Sequence, residues 1–235
     1  MESDIDQIPG KWDNLPKVFD SLKFPNYRIF WLGQLVSLVG LWMQTIAQGW
    51  LVYEITGSKV LLGLINTIVG LPILFITPFG GVIADHVNKK KLLLLTQIVF
   101  AVLSLIIGIL ISFKKIDFVI LSFLGFLIGI ANAIDSPTRQ AFVAELVSKR
   151  TLGNAIALNS IAFNFARIIG PAIAGYLIGI INVQSCFYII TITCFGVIVS
   201  SLLVKGNFKA KAKVETTIRQ ALADGAIYIV SNKEI

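Results

Sequence analysis

Gln34, Ser37, Gln44 and Gln48 fall within an arc of about 80° when successive residues advance 100° around a helix. Amide and hydroxyl groups therefore form one stripe over about four turns of an otherwise apolar segment. Two readings of that stripe stay open: hydrogen bonds between helices, worth about 0.6–2 kcal/mol each in a membrane, or the wall of a cavity that touches a small-molecule substrate. Sixteen residues separate Arg167 from Arg150, roughly 25 Å along a helix, too deep for its side chain to reach an interface easily. An arginine at that depth costs at least ~2.5–3.5 kcal/mol, so it either faces a wet cavity or bonds to carbonyls inside the bundle. Ser160 and Asn164 share its face. Asn132, Asp135 and Arg139 share another, and Asp135 and Arg139 have the i, i+4 spacing at which opposite charges meet. Such a pair is a poor source of stability but a workable switch, because protonating Asp135 would leave Arg139 seeking another acid, for which Asp85 is the candidate. The other reading is a solvated helix end.

Several chemistries lack their parts. His86 is the only histidine, and no metal spacing, nucleophile motif or phosphate-binding glycine loop occurs. Cys186 and Cys194 lie in one apolar run, with no partner in a loop. The expectation is no enzyme, no catalytic residue, no metal and no cofactor.

The elements that must position these residues follow from where charge is absent. Of 235 residues 56% are hydrophobic and only 14% charged, against about a quarter charged in soluble domains, and the mean hydropathy is +0.83. Uncharged runs of 25, 25, 22 and 17 residues lie between Arg28 and Glu54, Lys59 and Asp85, Lys91 and Lys114, and Asp117 and Asp135. A further 37 uncharged residues follow Arg167, divided by a turn at 179–184. About 20 residues span a bilayer as helix, and period-two alternation is missing, so strands are disfavoured. The spacing predicts an all-α integral membrane protein with helices near 29–53, 60–84, 92–113, 117–138, 151–178 and 184–204. The 1–28 segment carries five acids and four bases and no apolar core, so it reads as a cytoplasmic segment and not a cleavable signal.

The net charge of +7 sits in short clusters between apolar runs, which orient a membrane protein and do not bind nucleic acid. With the N-terminus inside, sixteen Lys and Arg fall on the cytoplasmic side and three outside, placing both termini in the cytoplasm. The Lys89–Lys91 loop after helix two is basic, whereas the loop after helix five, around Asn182, is uncharged, as an inverted 3+3 repeat would require. On helix five Ala166, Gly170 and Ala174 recur every four residues with Pro171, Gly175 and Gly179. This is a tightly packed, bent helix or a pivot built on one. Beyond Lys205 come a basic stretch and, from Thr216, an amphipathic segment read as a surface helix over 216–235.

Gly81-Val-Ile-Ala-Asp85-His-Val-Asn-Lys89-Lys90-Lys91 resembles the signature loop between helices two and three of the major facilitator superfamily, with His86 at the usual Arg and Asn88 at the usual Gly. Trp31 with Gly33-Gln34, Gly49-Trp50-Leu-Val-Tyr53-Glu54, Ala131-Asn-Ala-Ile-Asp135-Ser-Pro137-Thr-Arg139-Gln140, and Asn164-Phe-Ala-Arg167-Ile-Ile-Gly170-Pro171 are similar to the enterobactin-exporter and macrolide-efflux branch. Gly170-Pro171 with Gly175 also resembles the antiporter motif of helix five.

The resemblance implies the N-terminal six-helix half of a major facilitator fold, a cavity open alternately to either side, and proton-driven export of amphipathic compounds such as siderophores or macrolides from a bacterial inner membrane. It assigns Gly81, Asp85, Lys89, Lys90 and Lys91 to a cytoplasmic gate, and Asp135 and Arg139 to a charge relay with Asp135 as proton candidate. Gln34, Gln44, Gln48, Ser160, Asn164 and Arg167 are the expected cavity lining, and Gly170, Pro171 and Gly175 the helix-five pivot. Expected partners are the lipid bilayer, a small-molecule substrate and protons. Family members run to about twice this length. A fragment ranks first, pairing with a separately encoded C-terminal half second, and assembly of two copies third. The competing class is a six-helix membrane protein that transports nothing.

Overall fold

The computed structural model describes residues 17–206 and 208. The expected surface helix at 216–235, most of the basic stretch before it and the first sixteen residues lie outside the described residues. A short 3-10 helix, Lys17–Lys23, leads into six α-helices: α1 Pro25–Thr56, α2 Lys59–His86, α3 Lys89–Ser112, α4 Phe118–Leu146, α5 Leu152–Ile180 and α6 Val183–Leu203. All six are long and apolar enough to cross a membrane.

Local sequence explains where they start. Ser58, Asn88, Asp117 and Asn182 each accept a backbone N–H three residues on, from Leu61, Lys91, Ile120 and Ser185, which satisfies one of the donors a helix start leaves orphaned. Asn88, a departure from the family's usual glycine, thus has work of its own as the cap of α3. Gly57 stops α1 at φ 63°, its N–H returning to the Tyr53 carbonyl at 2.8 Å. The helices run past the uncharged stretches. α4 continues to Leu146, eight residues beyond the expected 138, in spite of Pro137 within it, and Arg139 on this extension is neutralised one turn away by Asp135.

Packing follows an inverted repeat. α1 lies against α5 and α6, α4 lies against α2 and α3, and α3 meets α6; exchanging α1–α3 with α4–α6 reproduces the same set of neighbours. Contacts are made close by glycine, as expected where lipid gives no hydrophobic drive to join helices. A Cβ on Gly33 would strike the backbone of Gly196 on α6, one on Gly129 the Val69 carbonyl of α2, and one on Gly170 would lie 2.7 Å from Trp42 Cβ and 2.8 Å from the Val39 carbonyl of α1. Ala166 and Ala174, a turn to either side of Gly170, are fully buried. Gly175 behaves differently: nothing lies within 4 Å of its would-be Cβ. It is exposed, whereas Gly170 is packed on α1.

Two apolar clusters divide the bundle. One joins Tyr27, Phe30, Leu93, Phe142, Leu158 and Val197 at the end where α1 begins, hereafter the basic end; the other joins Met43, Leu51, Ile107, Leu121 and Phe187 toward the opposite end. Polar ties close the basic end. Lys89 Nζ lies 2.9 Å from Glu145 Oε1, with side-chain exposures of only 6% and 15%, pinning the start of α3 to the end of α4. Lys90 donates to the Val204 carbonyl at 2.8 Å, where a cation meets the last carbonyls of α6. Asn26 and Lys205 exchange two hydrogen bonds of 2.8 and 3.1 Å, and Phe208 stacks edge-on to Phe142 with centroids 5.0 Å apart.

Two measurements check this packing. Gly170→Leu should destabilise the protein in micelles by about 1–3 kcal/mol or prevent its folding, while Gly175→Leu changes stability by less than about 0.5 kcal/mol; both are read as unfolding midpoints. Lys89→Met, which strands the Glu145 carboxylate, should cost about 3–5 kcal/mol, and the double change Lys89→Met with Glu145→Leu should recover most of that loss.

Candidate substrate cavity

Between the two apolar clusters lies a buried polar layer built around Asp135. Its Oδ1 accepts from Thr96 Oγ1 at 2.6 Å and Gln97 Nε2 at 3.0 Å; its Oδ2 accepts from Arg139 Nε at 3.0 Å and Nη2 at 2.7 Å. Gln97 in turn accepts from Ser37 Oγ of α1 at 3.0 Å. The i, i+4 pair expected on α4 is present, and Asp135 is 4% exposed, which rules out a solvated helix end. Asp85, proposed as an alternative acid for Arg139, is exposed near the end of α2, and Arg139 rests on Asp135.

Beside this layer is a cavity of about 890 Å³. Its wall follows α4 from Asn132 to Ala144 and α5 from Leu152 to Asn164, so it reaches the basic end and stops near mid-helix. Gln34, Ser37 and Gln44 line it from α1, and Ser160 and Asn164 from α5. Asn159 links the two helices, its Oδ1 lying 3.3 Å from Gln34 Nε2 and 3.2 Å from the Tyr27 hydroxyl. Ser160 Oγ donates to the Ile156 carbonyl and Asn164 Nδ2 to the Ser160 carbonyl. The charged groups of the lining are Asp135 and Arg139.

Two expected lining residues stand beside the cavity wall and not in it. Gln48 sits one turn below the cavity floor, 6% exposed, with its Nε2 beside Gly125 of α4, so the stripe serves as cavity wall at its upper turns and as packing at its lowest. Arg167 lies one turn beyond Asn164. It is exposed and its guanidinium stands 5.5 Å from the ring centroid of Trp42, which lines the cavity and packs edge-on to Phe163 at 5.3 Å.

Of the residues expected at a gate, Lys89 and Lys90 hold α4 and α6 as described, Lys91 and Asp85 are exposed, and Gly81 has open space where a side chain would stand. Sequence reasoning passed over Glu145, Thr96, Gln97, Trp42 and Asn159. A signal existed for Thr96 and Gln97, two adjacent polar residues in the apolar run of α3 that are 4% and 1% exposed. Nothing in the local sequence marks Glu145, whose partner is 56 positions away. Among the described residues no group of three His, Cys, Asp or Glu is placed to hold a metal, and Cys186 and Cys194 are free and buried.

The transmembrane secretion effector family matches residues 17–235. The staphyloferrin A transporter of Staphylococcus aureus is 29% identical over 175 residues, 71% of this chain and 44% of that protein. Macrolide efflux protein A of Streptococcus pyogenes is 23% identical over 186 residues, 77% of this chain and 45% of that protein. An uncharacterized transporter of the major facilitator type from Bacillus subtilis is 27% identical over 157 residues, 66% of this chain and 36% of that protein. The chain thus spans somewhat under half the length of the curated relatives it matches. Six membrane-length helices in an inverted repeat, a cavity that brings amides and an ion pair of α1, α4 and α5 together and a family match over most of its length lead to one conclusion: this chain belongs to the transmembrane secretion effectors of the major facilitator superfamily and carries their N-terminal six-helix half.

Proposed function

We propose that this chain is the first half of a proton-coupled exporter of small polar or amphipathic molecules in a bacterial cell membrane, with its basic end in the cytoplasm. One observation carries the reading: a cavity of about 890 Å³ runs from mid-helix to the basic end, its largely apolar wall interrupted by amides and a buried ion pair, where a membrane interior otherwise excludes polar groups. The excess of Lys and Arg at the end the cavity reaches supports an inward-open state. Relatives named as a staphyloferrin A transporter and as macrolide efflux proteins support export as the direction and organic molecules as the cargo.

In this reading α1, α4 and α5 supply one wall and a second six-helix half the other, most simply as the continuation of the same polypeptide, otherwise as a separate chain or a second copy. Asp135 is the coupling acid. Protonation would remove the charge that Arg139, Thr96 and Gln97 hold in place, free the guanidinium and loosen the tie between α3 and α4. Lys89 with Glu145 and Lys90 at the end of α6 would act as the cytoplasmic gate, opening when α3, α4 and α6 part. Gly170 and Pro171 would let α5 pivot on α1.

A protein carrying both halves, reconstituted in vesicles, tests this. Asp135→Asn should reduce export driven by an imposed pH gradient by about tenfold or more, the loss expected when a coupling acid is removed, while the folded protein is still recovered. Unaltered coupling would reject the role of Asp135, and no export by any two-half form would leave a six-helix membrane protein that moves nothing.

A further inference from the structure

We propose that the exposed side of α5 around Arg167 is a docking surface for another membrane helix, one that carries a carboxylate at mid-depth and joins Arg167 in an ion pair. This rests on the two-half reading only for where that helix resides; its chemistry follows from Arg167 itself. Fifteen residues of α5 precede Arg167 and thirteen follow it, so roughly 20 Å of helix separates it from either end, and its side chain is exposed. Lipid phosphates lie out of reach at that depth. The cavity gives no relief either, because its wall on α5 ends at Asn164, one turn short of Arg167. The guanidinium stands 5.5 Å from the Trp42 ring, and among the described residues it makes no hydrogen bond or ion pair. A cation over an indole offsets only part of what a mid-membrane arginine costs, and it leaves the charge unneutralised.

Every acid among the described residues is engaged or distant. Asp135 is held by Arg139, Glu145 by Lys89 and Asp20 by Lys23, while Asp117 caps the start of α4. Asp85 and Glu54 stand within two residues of the ends of α2 and α1, and Glu54 is about 18 Å along α1 from Trp42. The counter-charge for Arg167 therefore comes from outside these helices.

The surface beside Arg167 suits a helix that would bring it. On the uncovered side of α5, Asn164 and Gly175 fall within about 80° of Arg167; both are exposed, and a Cβ on Gly175 would meet nothing within 4 Å. A glycine in open space lets a second backbone approach closely. Ser160 and Asn164 already donate to carbonyls of α5 itself, which leaves Arg167 as the group in need of an acceptor. Away from water the attraction between opposite charges is strong, so one carboxylate at matching depth both satisfies Arg167 and sets the register of the arriving helix. The chain spans under half the length of its curated relatives, which leaves room for such a helix in a second half.

The test is association in lipid nanodiscs between this chain and three synthetic membrane-spanning peptides of leucine and alanine whose central residue is Glu, Gln or Leu, read by energy transfer between attached fluorophores. At mildly alkaline pH the Glu peptide should associate at least about tenfold more tightly than the other two. Arg167→Gln should bring the Glu peptide down to the level of the Gln peptide at an unchanged melting temperature, and Arg167→Lys, which keeps the charge, should retain a preference of about threefold or more. Equal association of the three peptides would overturn the proposal. So would a Glu preference that survives Arg167→Gln, or an equal loss with all three peptides on that substitution, which would make Arg167 a structural residue only. A Glu preference with no export by the two-half protein would uphold the surface and sink the export reading, and export without the preference would do the reverse.

Discussion

The buried carboxylate of Asp135 is the constraint around which the rest is arranged. A lone ion at that depth would be too costly to hold, so it exists only because donors from two helices converge on it: Thr96 and Gln97 from α3, and the Arg139 guanidinium from the next turn of α4. Each such bond to a charged group contributes about 1.5–3 kcal/mol, and together they offset the cost of burial. The same bonds fix the register of α3 on α4, and through Gln97 and Ser37 the register of α1 on α3. A polar layer that specifies one arrangement of helices sits between two apolar clusters that do not.

Lipid makes that specification necessary. Leucine and isoleucine gain little by leaving lipid for a neighbouring helix, so adhesion depends on close backbone approach and on polar ties. The first is seen where Gly33 meets Gly196, where Gly129 meets α2 and where Gly170 meets α1. The second is concentrated at the basic end, in Lys89 with Glu145 and Lys90 with the α6 carbonyls. The bundle is thus held by two kinds of contact, close backbone approach along its length and polar ties at one end.

The cavity is a consequence of the same division. Polar side chains of α1, α4 and α5 above the mid-depth layer border open volume, while Gln48 below it is enclosed. Gln44 and Gln48 illustrate this, one turn apart on the same face of α1: the first lines the cavity and the second packs on Gly125 of α4. The indole of Trp42 marks the boundary, one edge on the cavity and its face under Arg167.

Six spans, the amide stripe of α1 and the Asp135–Arg139 pair were legible in the sequence because each depends on residues within a few turns of one another: an uncharged run long enough for a bilayer, a helical repeat, an i, i+4 spacing. Caps at Ser58, Asn88, Asp117 and Asn182 belong to the same class. Everything set by which helices meet was decided by tertiary structure. Glu145 pairs with Lys89 across 56 positions, Gln97 finds Asp135 across 38, and Arg167 lies over an aromatic ring on α1 instead of in the cavity. Gly175, placed by motif in the pivot, has open space around it. Helical periodicity tells which residues share a face and how deep each lies, but it carries no information about which neighbour that face will meet, and it is the neighbour that makes a polar residue a wall, a tie or packing.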